Sequence, residues 1–187
     1  MNVLLLRTIA KAVLTKRSLS AIAVRLAALA ACLLGMSATA ALALDKPTTD
    51  VILTVTGNLQ HPNVGTAAQF DLPMLEQLAS REGEMETPWT TGKVKFSGPL
   101  LKAVLDAAGA NGAVLTVKAI NDYAADVPME DATKLDTILA TRMDGRTMSV
   151  RDKGPLFLIY PFDTHPEIYN EKYFSRSVWQ IREIEVH

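Results

Sequence analysis

The chain has 187 residues, 49% of them hydrophobic, with 19 Lys+Arg, 20 Asp+Glu and a single cysteine, enough for one domain with a proper core. Its near neutrality hides a division: residues 1–43 hold five cations and no acid, which leaves 14 Lys+Arg against 20 Asp+Glu after them, a net charge of −6. An acidic domain argues against nucleic acid and anionic membrane as partners, and because the lone Cys32 lies in the basic segment, the domain has no disulfide, thiolate nucleophile or thiolate metal ligand.

The N-terminus reads as a secretory signal peptide, with residues 44–187 as the mature domain. Arg7, Lys11, Lys16, Arg17 and Arg25 precede an apolar stretch over 26–36. Small residues follow, with cleavage sites at Ala38-Thr39-Ala40 and Ala41-Leu42-Ala43. The apolar stretch is about half of the ~20 residues that a bilayer span needs, so no permanent span is expected. Leu29-Ala30-Ala31-Cys32 resembles a lipoprotein-processing box, but so little apolar sequence precedes Cys32 that cleavage at Ala40 or Ala43 is the favoured reading. The expected location is therefore the periplasm or the exterior.

In chain order, residues 51–57 form a strand by composition, closed by Gly57-Asn58, and 60–66 form a loop. A second short strand spans 69–72. Asp71 is also an N-cap, with Pro73 behind it, for a helix ending near Ser80. Residues 81–91 read as irregular and polar, and 93–96 as a brief alternating strand. Ser97 or Gly98 then caps a helix with Pro99 in its first turn. Its apolar stripe is Leu100, Leu101, Val104, Leu105 and Ala108, and Gly109 stops it.

Asn111-Gly112 turns into the strongest strand, 114–120. Residues 125–128 are extended and 129–136 form a short helix. A hairpin over 138–143 and 147–150 turns at Asp144-Gly145. Gly154-Pro155 precedes an unbroken apolar run, 156–160, that reads as a strand buried on both faces. A polar excursion runs through Lys172, and 175–186 returns as a strand whose apolar residues do not all fall on one face. Short elements, strands outnumbering helices and no βαβ alternation give an α+β domain with mixed sheets.

Three places carry site chemistry. Asn121, Asp122 and Tyr123 leave the end of the strongest strand, where an amide, a carboxylate and a phenol can orient a polar ligand; a plain turn is the alternative. Thr87, Trp89 and Thr90 set hydroxyls around an indole, or else form a loop pinned by a half-buried ring. Tyr160 ends the apolar run at the presumed rim. Arg176, between two serines, suits a phosphate or carboxylate, the alternative being a surface ion pair with Glu171 or Glu183. Trp179 reads as core. His61, His165 and His187 do not form a metal spacing, so no metal site is assigned.

The ordered set of Trp89, Phe96-Ser97-Gly98-Pro99-Leu100-Leu101, Ala108-Gly109-Ala110, Val127-Pro128, Asp144-Gly145, Gly154-Pro155-Leu156, Tyr160-Pro161 and Val178-Trp179 resembles the molybdopterin-binding domain of the sulfite oxidase superfamily. The likeness is to its small exported stand-alone branch and covers residues 51–186. The resemblance implies that fold, a molybdenum–pterin cofactor and oxidoreductase chemistry, with the metal held by one cysteine thiolate. The matching segment, 81–88, has no cysteine; Thr87 offers a hard hydroxyl and Met85 a neutral thioether, neither a substitute for soft thiolate. Two functions stay open. One is a degenerate member that binds a small polar ligand without redox chemistry, with a sensory partner. The other is a molybdopterin-dependent oxidoreductase with a non-cysteine metal ligand and a periplasmic redox partner.

Overall fold

The computed structural model describes residues 44–187. Its largest sheet contains β1 (Val51–Gly57), β2 (Ala68–Asp71), β5 (Val114–Ala119), β6 (Ala124–Pro128) and β11 (Ile181–Val186), in the order β2-β1-β11-β5-β6. Only β1 and β11 run parallel; the other pairings are antiparallel. A second sheet has the order β3-β4-β8-β9, from β3 (Ser80–Glu86), β4 (Lys93–Pro99), β8 (Arg142–Met143) and β9 (Arg146–Thr147). The strands β7 (Ile138–Ala140) and β10 (Phe157–Ile159) pair separately. Four short α-helices, α1 (Leu72–Glu76), α2 (Leu101–Ala108), α3 (Met129–Thr133) and α4 (Glu171–Arg176), and two 3-10 turns, Val150–Asp152 and Pro166–Ile168, complete the described elements. The α+β expectation with mixed sheets holds, and none of these helices is long and apolar enough to cross a membrane.

The uneven pattern of the last strand has a physical cause. The register between β11 and β5 shifts between Ile181 and Glu183, so Arg182 is an extra residue in the ladder. That bulge brings Ile181 onto the same buried side as Ile184 and Val186 despite the odd spacing. The strand therefore sits at the centre of the main sheet, packed with Leu53 and Val55 of β1 and Leu115 and Val117 of β5. The apolar run ending at Tyr160 is buried as expected, and its strand forms one half of a two-stranded sheet.

Five sequence readings need correction. Residues 81–91 are irregular only from Thr87 on, because 80–86 pair with β4 along their whole length. Gly83 and Met85 face inward there, while Glu82, Glu84 and Glu86 face solvent, the last two opposite Lys95 and Lys93. A strand half made of charges has a weak hydrophobic signal. The helix opened by Asp71 consequently ends at Glu76, well short of Ser80.

Ser97, Gly98 and Pro99 stay in β4, and α2 starts later without a side-chain cap. Its first amide, on Leu101, donates instead to the Thr137 carbonyl at 2.8 Å. The excursion before the last strand contains α4, so residues 175 and 176 are helical and β11 begins only at Ile181. The expected hairpin is smaller than read: β8 and β9 pair around Asp144-Gly145, whereas β7 pairs with β10.

Candidate functional site

Three segments meet beside the end of the main sheet. The first is the loop after β3. Thr87 and Thr90 bring their hydroxyl oxygens to 2.8 Å, and the Trp89 amide donates to Thr87 Oγ1 at 3.3 Å. This small hydrogen-bonded loop sets the Trp89 indole against Phe157, Phe174 and Trp179, with ring centroids 5.5, 5.8 and 5.8 Å away and edge-to-face geometry.

The second segment is the turn between β5 and β6. It closes through the Ala119 amide on the Tyr123 carbonyl at 2.8 Å, with Asp122 in the left-handed region at φ 65°. Asparagine and aspartate tolerate that geometry, and the Tyr123 amide also donates to Asn121 Oδ1 at 3.3 Å. The turn reading holds at this position. The third segment is α4 with the residues after it, capped by Asn170, whose side chain accepts from the Lys172 amide. Tyr123 ties it to the second, its hydroxyl donating to the Ser175 carbonyl at 2.8 Å.

Between these segments lies a cavity of about 340 Å³, at the small end of ligand pockets. Trp89, Phe174 and Trp179 wall it, Asn121, Tyr123, Ser175 and Ser177 contribute polar edges, and Glu171 stands at the rim. Of the residues singled out from sequence, Trp89, Asn121 and Tyr123 line it. The others lie elsewhere. Thr87 is buried and bonded to Thr90 behind the indole, and Asp122 is an exposed partner of Arg182 at 3.0 Å.

Tyr160 is fully buried. Its hydroxyl donates to Asp131 Oδ2 at 2.8 Å, so it faces the core instead of a rim. Burial, and then the Asp131 charge, push its ionisation far above the ordinary phenol range. Arg176 donates to the same Asp131 oxygen at 2.9 Å, so its partner is neither Glu171 nor Glu183. The sequence reading missed Glu171, Phe174 and Ser175, which sit on a helix it did not recognise, and Ser177 just after it. It placed Trp179 wholly in the core, whereas this indole is half-buried and also lines the cavity.

The donor set can be set against the cofactor that the resemblance implies. That group needs a soft anionic ligand for its metal and cations for its phosphate. In the segment where a thiolate would be expected, Met85 points into the core at 2% exposure and Thr87 is held by Thr90. Neither arginine and no lysine of the neighbourhood lines the cavity: Arg176 is held by Asp131, and Arg81 pairs with Asp163 at 2.5 Å. The second Arg81 nitrogen, Nη1, is buried without a partner among the described residues and does not line this cavity; a methyl at Gly83 would lie 2.7 Å from it. The residues of this cavity do not fit a molybdenum–pterin group.

No curated protein matches the chain. A family model described as the oxidoreductase molybdopterin binding domain matches residues 50–187, nearly the whole of the described region. The chain belongs to the oxidoreductase molybdopterin binding domain family.

Proposed function

We propose that this chain is an exported binding module of its family, one that uses the cavity for a small ligand and performs no redox chemistry. The observation that carries the reading is the make-up of that cavity: aromatic walls and polar edges, with no thiolate and no cation to hold a metal or a phosphate. Its residues are Trp89, Asn121 and Tyr123, joined by Phe174, Ser175 and Trp179. Export follows from the basic and apolar layout of residues 1–43, which lie outside the described residues. A periplasmic or extracellular sensory partner fits a module without chemistry of its own.

Family membership alone favours a second reading, a molybdopterin-dependent oxidoreductase with an oxygen or nitrogen metal ligand. One preparation separates the two. The protein is purified from a molybdenum-replete host that exports other molybdoenzymes, and its metal and released pterin are measured. The binding module is expected to hold neither. Stoichiometric molybdenum would overturn it. The mass of the same sample reads the processing step, with Leu44 expected as the first residue.

A further inference from the structure

We infer that the cavity selects a small organic cation, an alkylammonium group seated against the aromatic walls with Glu171 at its rim. The inference rests on the binding-module reading and adds the charge of the ligand. It starts from where the protons of the lining hydroxyls go. Tyr123 donates to the Ser175 carbonyl at 2.8 Å, Ser175 to the Lys172 carbonyl at 3.0 Å, and Ser177 to the Tyr173 carbonyl at 2.9 Å. Each of these lining hydroxyls has its single donor directed to backbone, so only its oxygen lone pairs remain for a ligand. The side-chain donors left on the lining are the Asn121 amide and the indole N–H groups.

The charges point the same way. Glu171 is the one ionisable acid on the lining, no lysine or arginine accompanies it, and it takes part in no salt bridge among the described residues. Three cations around the site are already engaged. Arg176 is on Asp131, Lys172 lies over the Tyr173 ring at 5.1 Å, and Lys153 lies over the Trp179 ring at 5.0 Å without lining the cavity. That last contact also shows the indole of Trp179 accepting a cation. Aromatic walls, oxygen lone pairs and a carboxylate without a salt-bridge partner among the described residues favour positive charge over an anion.

The test uses the chain's two tryptophans, which both line the cavity and report on it by intrinsic fluorescence. Choline, its neutral isostere 3,3-dimethylbutan-1-ol and inorganic phosphate are titrated into the purified protein. Choline is expected to give a saturable change, with each of the other two binding at least about tenfold more weakly. Glu171→Gln is exposed and leaves the fold intact, and it is expected to weaken choline several-fold without changing binding of the alcohol. Equal binding of choline and the alcohol, with no effect of Glu171→Gln, would overturn the charge inference and leave the binding module standing. Tighter binding of phosphate, or no response to choline at all, would overturn it too. Co-purifying molybdenum would instead remove the reading on which the inference rests.

Discussion

Asp71 does more at the scale of one residue than any side chain at the cavity. Its carboxylate accepts from the Met74 amide at 3.0 Å, capping α1, and from the Thr48 and Thr49 amides at 2.8 and 3.0 Å. It thereby fastens the lead-in of the domain to the start of its first helix. The Met74 amide, helped by those of Thr48 and Thr49 and opposed by burial, holds the acid at about 2, below its ordinary 3.8. A carboxylate with a lowered folded-state value stabilises above its unfolded value and loses that contribution as pH falls through the folded one. Asp71→Asn should therefore lower the melting temperature at pH 7 and flatten the loss of stability between about pH 4 and pH 2. Equal acid sensitivity in both proteins would refute this role. The Asp71 cap was readable because its partner lies three residues on. The bond from Tyr160 to Asp131 was not, since its ends are 29 residues apart and nothing local marks either as a partner.

Elements were legible where burial shows as an unbroken or alternating apolar pattern, as in β1, β5 and the Phe157–Ile159 strand. They were hidden where the backbone ladder does the holding. The strand β3 exists because its amides and carbonyls pair with β4 over seven residues, from Ser80 opposite Pro99 to Glu86 opposite Lys93. Its charged faces conceal that pairing. The reading of Gly98 as a possible helix cap failed for a related reason, since this glycine serves a close approach between strands. A β-carbon there would lie 2.2 Å from the Leu139 carbonyl oxygen. Gly98→Ala must push β4 away from β7, with an expected cost of about 3 kcal/mol or more, read by chemical denaturation. Near-wild-type stability would mean that the two strands separate freely. The same region carries the Leu100–Ile138 bridge and the Thr141 amide on the Ser97 carbonyl at 3.0 Å, so a shift there would be felt along both sheets.

Across the whole molecule, the aromatic cluster joins the segments around the cavity by packing alone. Trp89, Phe157, Phe174 and Trp179 come from the loop after β3, from β10, from α4 and from the approach to β11, and they pack edge to face. Contacts of this kind contribute about 0.5–1.5 kcal/mol each beyond the area they bury, so the cluster holds the three site segments together whether or not a ligand is present. Nothing in that packing depends on a metal. If one absent sulfur were the whole difference from a redox member, replacing it would restore cofactor binding. Thr87 is the nearest stand-in, a buried hydroxyl at the end of β3 whose exchange for a thiol conserves volume. Thr87→Cys should fold, lose about 1 kcal/mol through the broken bond to Thr90, and still bind no molybdenum when produced in a molybdenum-replete exporting host. The reason is electrostatic. A thiolate would address the metal, while the cofactor's phosphate would meet a cavity that offers a carboxylate and no cation. Molybdenum found in Thr87→Cys but not in the parent would show that the thiolate alone was missing, and the charge of the cavity would have to be reread as no barrier to an anion.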